Sequence, residues 1–481
     1  MKKLINYMIC GALLVGTACT DFLDINESPN LPTSVTPDVL LPAGLAGTAF
    51  ANNNELNRFG SIITSVTAGA ANSPATYDIY TIDGANFNNQ WRFEMYNGSL
   101  ITYRNMIEVG EELGATSYTG IGKIMTAYTF SIATDFWGDI PYSEALLGDQ
   151  NTSPRLDTQE SIYLGSEEVQ SLFDLVREGI ADLQSSSTVN PGQDDIVYGG
   201  NSGNWIKAGN ALILKLANTI SRVAPDRARQ EIESVLQGGN FIQNNDENMV
   251  FTFGSSVGSR APVYEYTYVT AFSNDMMIST RFKDLLESKN DPRLPLFVTR
   301  PTGEYVTIDN GFRGALPTPT SSWSRFSSYV VGDGGEGPVR FITNAQVQFI
   351  LAESALLLGT PGDAEEHFQN GIRSSMALAG LSTGEIDDYF ENNSDEVSLN
   401  GSEDENWEKI MTQKYIASYG NGVEQWNDYR RTGYPVLEEH QNAVGIDGTR
   451  PVRAQYINEE VARNSNFEVI LPTVPVWWDI D

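Results

Sequence analysis

The chain has 481 residues, 41% of them hydrophobic and 10% aromatic, which supports a sizeable core and excludes a disordered chain. Asp and Glu total 62 against 30 Lys and Arg, for a net charge of −32, so the surface repels phosphate backbones and anionic lipid. With only His367 and His440, a multi-histidine metal site within one chain is excluded, and with only Cys10 and Cys19 so is a disulfide framework.

Lys2-Lys3, an apolar stretch from Leu4 to Val15 and the small residues Gly16-Thr17-Ala18 read as an export signal over residues 1–18. The run is too short, and too interrupted by Asn6 and Tyr7, to span a bilayer, and no later stretch is long enough. Small residues directly before a cysteine resemble a bacterial lipobox, with Gly16 where an aliphatic residue is usual. The resemblance implies cleavage before Cys19 and lipid on its sulfur and amine. Cleavage also removes Cys10, so the mature monomer has no disulfide open to it. The acids of Thr20-Asp21-Phe22-Leu23-Asp24, just after that cysteine, are similar to the surface-export signal of Bacteroidota lipoproteins. Residues 19–37, rich in Asn, Pro, Ser and Thr, read as a tether, leaving 38–481 as one domain.

Helical periodicity dominates from there. Val39–Ala51 and Ile62–Ala70 show apolar spacing near that of a helix, and Trp91–Leu113 sets Phe93, Leu100, Ile107 and Leu113 on one stripe. Ile121–Phe136 is apolar nearly all round, as in a buried helix. Ser166–Leu183 follows, with Ser166 as its N-cap, then Trp205–Val223 and Ala228–Leu236. Val347–Leu358 and Asp363–Ala379 form a hairpin broken by Gly359-Thr360-Pro361-Gly362, and Glu408–Arg431 is the last long helix. The pairs 91–135, 166–223 and 345–379 approximate tetratricopeptide units, with Ala352, Leu356, Ala364 and Phe368 at packing positions of the third. Long inserts at 72–90, 185–202, 238–275, 295–345, 380–406 and 435–481 carry few β segments: Val250–Phe253, Tyr264–Thr270, Tyr305–Ile308 and Ser327–Val331. The fold class is mostly α: a helical scaffold with helix pairs, loop-rich inserts and minor β.

Catalytic motifs fail on context. Gly332–Gly337 matches G-x-G-x-x-G but no helix start follows it, so it reads as a turn. Gly254-Ser255-Ser256-Val257-Gly258 matches G-x-S-x-G without a convincing helix after it, and its base would have to be His367 or His440. The acids of 396–408 do not fit a calcium-binding loop. No cofactor, metal site or catalytic residue is expected.

Cys19–Asp24 with Asn26 and Pro29-Asn30 resembles the mature N-terminus of SusD/RagB outer-membrane lipoproteins. Ala133-Thr134-Asp135-Phe136-Trp137-Gly138-Asp139-Ile140-Pro141-Tyr142, Trp205–Asn210, Asn290-Asp291-Pro292-Arg293-Leu294, Gln413–Ala417 with Gln425–Pro435, and Trp477-Trp478-Asp479 match further segments of that family, in order along the chain. Most of these marks are read as structural: Trp426 and Tyr429 share a helix face, Asp428 pairs with Arg431, and Glu424 pairs with Arg431 or its neighbour. The resemblance implies an outer-membrane binding protein, lipid-anchored and facing the exterior. It would capture a nutrient oligomer, most readily an oligosaccharide, for a SusC-like TonB-dependent transporter. Oligopeptide capture, a surface-anchored glycoside hydrolase and a purely structural transporter subunit are the alternatives.

Aromatic rings stack on sugar C–H faces while amides, acids and Arg bond the hydroxyls. Loop 72–90 offers Tyr77, Tyr80, Asn86, Phe87, Asn88 and Asn89. Loop 317–331 offers Trp323, Arg325, Phe326 and Tyr329, and a third candidate is Tyr264, Glu265, Tyr266 and Tyr268. Trp323, among Pro, Thr and Ser, is the leading platform, and its removal is expected to weaken binding without unfolding the protein.

Overall fold

A computed structural model describes residues 35–480. The export signal, Cys19 and most of the tether lie outside the described residues. The fold is mostly helical, with two small two-stranded sheets. Helix α1 (Pro37–Asn53) starts with proline in its first turn, and α2 (Glu55–Ile63) follows after one residue. Strand β1 (Thr67–Gly69) occupies the rest of the expected helix 62–70, pairing antiparallel with β3 (Met276–Ile278).

Residues Gln90–Leu100 form a π-helix that runs into α3 (Ile101–Leu113). Trp91, Met95 and Leu100 face inward there, while Phe93 and Leu113 are exposed, so the expected stripe is rotated. A π-turn bonds i to i+5, and a pattern phased on the ordinary helical repeat slips against it. Helix α4 (Thr116–Trp137) is buried almost throughout and packs on α5 (Leu172–Gln184), whose N-cap is Ser171 rather than Ser166. The two cross at Gly120 and Gly179, where a Cβ on Gly120 would stand 2.6 Å from the Gly179 carbonyl oxygen.

Helices α6 (Ser202–Thr219) and α7 (Pro225–Gly238) continue the layer. Strand β2 (Met249–Thr252) pairs with β4 (Pro338–Ile342) in register Phe251↔Val339. The other three expected β segments differ. Tyr264–Thr270 is helical, Ser327–Val331 holds a single helical turn, and Tyr305–Ile308 contributes one bridge, Ser279↔Ile308. Helices α8 (Asn344–Leu357) and α9 (Ala364–Leu378) form the expected hairpin, with Thr343 and Asp363 as N-caps. The expected last helix is two, α10 (Glu403–Ala417) and α11 (Gly422–Thr432), separated at Gly420 with φ +89°. Helix α11 lies against α2 so closely that a Cβ on Gly60 would stand 2.1 Å from the Gly422 carbonyl oxygen.

Trp137, Trp205, Trp426 and Trp478 are all core. Arg430 is sandwiched between Trp426 and Trp478, its guanidinium 3.7 Å and 4.6 Å from the two ring centroids. Asp428 pairs with Arg431 (3.1 Å) as expected, but Glu424 reaches Lys215 (2.5 Å) instead of an arginine.

Candidate functional site

The end of α1, the start of α2, the 73–90 loop and the 257–272 segment enclose an open cleft of about 720 Å³. That is ample for a small-molecule or oligomer ligand. Glu55 anchors one wall: the Tyr77 hydroxyl donates to its Oε1 (2.5 Å), and Arg58 Nη2 donates to its Oε2 (2.5 Å). The Arg58 guanidinium lies 5.2 Å from the Tyr266 ring centroid. On the opposite side Arg260 pairs with Glu265 at 3.7 Å. Each cation lining the cleft thus has its own carboxylate, and the wall is charge-balanced. Asn54, Ser73, Asn86, Asn89, Gln90 and Thr270 add amide and hydroxyl groups. Phe50 and Phe272 stand at the cleft 40% and 51% exposed, with Val257 beside them almost wholly exposed.

Two π-helical segments, Gln90–Leu100 and Glu265–Val269, deliver Gln90, Glu265 and Tyr266 to this cleft. π-Turns recur at functional positions because they re-aim side chains that a regular helix would bury.

Glu94 backs the wall. Its Oε1 accepts from Asn54 Nδ2 (2.8 Å) and Gln90 Nε2 (2.9 Å), and its Oε2 is buried without a partner. Burial pushes this carboxyl up to about 7 against the two hydrogen bonds, and the charge on Glu55 adds to the rise. A raised native pKa means that the folded state holds the proton more tightly than the unfolded chain. Stability therefore falls as pH climbs from the ordinary 4.5 to about 7 and is level above. Glu94→Gln is expected to flatten that part of the stability–pH curve and to exceed the parent in stability at about pH 8. Urea denaturation across this range checks it; an unchanged slope would contradict the assignment.

The residues singled out in the sequence are dispersed. Tyr77, Asn86 and Tyr266 line the cleft, although both tyrosine rings are largely buried. Tyr264 is half-buried beside it, 5.4 Å from Arg260. Asn88 is half-buried with its Oδ1 unpartnered and does not line the cleft. Tyr80 is core: its hydroxyl accepts from the His440 amide (3.0 Å) and from Arg450 Nε (3.1 Å), and it lines a separate small cavity with 445–451. Tyr329 packs on Phe297 (4.7 Å) with Arg340 over its other side (3.9 Å). Trp323 is no open platform. It is 1% exposed, clusters with Ala68, Met277 and Ile308, and donates from Nε1 to the Pro317 carbonyl (2.9 Å). Only its edge, with Arg325, reaches a second pocket of about 310 Å³.

His440 does not serve Ser256. Its Nε2 meets Ser65 Oγ at 3.0 Å and its Nδ1 lies 3.3 Å from Asp78 Oδ1, a Ser–His–Asp contact. All three side chains are sealed in the interior, and Asp78 is also held by Asn310 (2.7 Å) and by the Gly311 amide (2.6 Å). This is a strut, without access for a substrate. Among the described residues no group of His, Cys, Asp or Glu is arranged to hold a metal ion, and no helix is long and apolar enough to cross a membrane.

A family model described as starch-binding and associating with the outer membrane, of the SusD-like kind, matches residues 29–457. The chain belongs to the SusD-like family. Solved SusD-like structures share its fold. A chitin-binding protein is 23% identical with TM-score 0.79, covering 93% of this chain and 100% of its own. A chitin-binding SusD homologue from Flavobacterium johnsoniae is 20% identical with TM-score 0.76, covering 92% and 99%. A SusD/RagB family protein from Bacteroides thetaiotaomicron is 20% identical with TM-score 0.78, covering 93% and 99%. No curated protein matches the chain in sequence.

In this SusD-like protein the cleft residues that sequence reasoning missed include Phe50, Asn54, Glu55, Arg58, Arg260 and Phe272. Phe50 sits at the end of an apolar helical pattern and reads as core. Phe272, between Ala271 and Ser273-Asn274, carries the same signal that singled out Trp323: an aromatic among small and polar neighbours.

Proposed function

We propose that the protein is a surface lipoprotein of the outer membrane, anchored through Cys19, that captures an oligosaccharide in the cleft and passes it to a SusC-like TonB-dependent transporter. The observation that carries this reading is the pairing of two accessible rings, Phe50 and Phe272, with a charge-balanced wall of amides and hydroxyls. Flat apolar surface receives sugar C–H faces, and the amides bond the hydroxyls. The starch-binding description of the family and the chitin-binding names of two fold neighbours support a glycan. The role is binding without turnover, supported by the family description and the neighbours' names, which speak of binding.

Calorimetry with malto- and chitooligosaccharides tests the reading. Phe50→Ala and Phe272→Ala are each expected to weaken binding about tenfold while leaving the unfolding midpoint in place. Unchanged affinity in both variants would contradict it, and hydrolysis of the bound oligosaccharide would favour a glycosidase. Co-purification from outer membranes in mild detergent checks the transporter: a β-barrel partner is expected, and a solitary protein would argue against delivery.

A further inference from the structure

The second pocket adjoins the cleft across the 265–273 segment. Tyr266, Thr270 and Phe272 line the cleft, whereas Thr267, Tyr268 and Ser273 line the pocket. Phe272 and Ser273 are chain neighbours, so at that point a single thickness of backbone separates the two depressions.

The ridge between them is apolar and uncovered. Tyr268, Val269 and Phe272 are 42%, 48% and 51% exposed. The π-turn over Glu265–Val269 turns Tyr266 and Thr267 inward and leaves Tyr268 and Val269 outside. Apolar side chains exposed together, rather than scattered singly, mark a contact surface.

Tyr268 is exposed but held in place, because its hydroxyl donates to the Phe326 carbonyl oxygen (2.5 Å). The pocket around it is braced as well. Arg325 lies 5.6 Å from the Trp323 ring centroid and donates to the carbonyls of Thr267 (2.9 Å), Ser273 and Thr320 (3.2 Å) and to Asn274 Oδ1 (3.0 Å). These bonds engage the guanidinium within the protein, so it ties the 267–274 segment to the 320–325 loop and leaves ligand contacts to its neighbours. Those neighbours are the Tyr268 ring, exposed Pro301, exposed Ser321 and half-buried Ser273. The hydroxyls of Ser273 and Ser321 bond nothing among the described residues, and no acid lines the pocket. An accessible ring beside uncharged hydroxyls repeats the chemistry of the cleft.

We propose that this pocket is a second glycan subsite, with Tyr268 as its stacking platform, and that one oligosaccharide crosses the ridge to occupy cleft and pocket together. The inference rests on the glycan reading above and adds chain length to it: oligomers that span the ridge are selected over disaccharides. The second contact of a bound chain is intramolecular, and surfaces already in place lose little freedom when it forms.

Calorimetry with malto- and chitooligosaccharides, from the disaccharide to the hexasaccharide, tests this. Affinity is expected to rise about tenfold along the series that binds. Tyr268→Ala is expected to abolish the rise while leaving disaccharide affinity unchanged, and Tyr268→Phe, which keeps the ring, to preserve most of it. Ser321→Ala, which breaks no bond within the protein, is expected to reduce the rise about threefold. Affinity independent of length in the parent, or a rise that persists in Tyr268→Ala, overturns the proposal. An equal loss for disaccharide and hexasaccharide in Tyr268→Ala also overturns it, because Tyr268 would then be shaping the cleft. Phe50→Ala, read with the disaccharide, reports on the cleft alone, so the cleft can fail while the length dependence stands. Absence of binding by every member of both series would overturn the glycan reading itself.

Discussion

Arg431→Met is expected to cost about 3–5 kcal/mol of stability, because it strands buried carboxylates. Arg431 forms a two-pronged pair with Glu353, Nη1 to Oε1 at 2.6 Å and Nη2 to Oε2 at 2.8 Å. It also meets Asp428, which Lys414 holds at 2.9 Å, while Lys215 pairs with Glu424. Three cations and three carboxylates, all buried, therefore tie α6, α8, α10 and α11 together. Asn218 and Trp407 donate to Glu353 as well, at 2.7 and 3.0 Å, filling its remaining acceptor sites. Burial raises the Glu353 and Asp428 pKa values, but Arg431 and Lys414 outweigh it and hold both below the ordinary carboxylate range. Depressed native values mean that this contribution is present at neutral pH and is lost as pH falls through them. Urea unfolding of Arg431→Met and of Glu353→Leu/Arg431→Leu measures the effect. The double variant is expected to lose less than the sum of the single changes, since it leaves no lone charge on Glu353. An unfolding midpoint for Arg431→Met equal to the parent's would contradict the account.

Trp323→Ala is expected to destabilise the fold by a similar amount, about 3–5 kcal/mol, the usual cost of emptying a buried tryptophan site. The ring fills a cluster formed with β1 and β3, both far from it in sequence, and with the preceding 306–316 loop. Its indole also satisfies the Pro317 carbonyl. Phe272→Ala serves as the control: the ring is half exposed, and its removal is expected to change stability by less than about 0.5 kcal/mol. A Trp323→Ala protein that unfolds at the parental midpoint would restore the expectation drawn from its polar neighbours. Thermal unfolding followed by circular dichroism decides between the two.

That reversal shows where the sequence was legible. Helices α1, α4, α8 and α9 follow from apolar spacing and from punctuation such as Pro361-Gly362, both of which act locally. The break at Gly420 does not, because one glycine in a helical pattern carries no mark of the left-handed turn it adopts. The π-helix at 90–100 defeats a period fitted to ordinary helices, which is why Phe93 emerges 57% exposed. The alternation Tyr264-Glu265-Tyr266-Thr267-Tyr268 imitates a strand, yet a π-turn buries Tyr266 and exposes Tyr268. At the site, the 72–90 loop yielded Tyr77 and Asn86 through its composition. Trp323 misled because Ala68 and Met277, from the distant strands β1 and β3, cover it together with Ile308, and no local pattern reports burial by distant segments. Phe50 was hidden in a helix that reads as core, and Arg58 fell between the two expected helices, where no element was assigned.

The central claim is that ligand enters between Phe50 and Phe272. A crystal structure of the protein with a bound maltooligosaccharide or chitooligosaccharide tests it most directly. The account predicts sugar rings against Phe50 and Phe272, with hydroxyls bonded by Asn54, Asn86 or Gln90. A glycan seated elsewhere on the surface, with the cleft open, would contradict it.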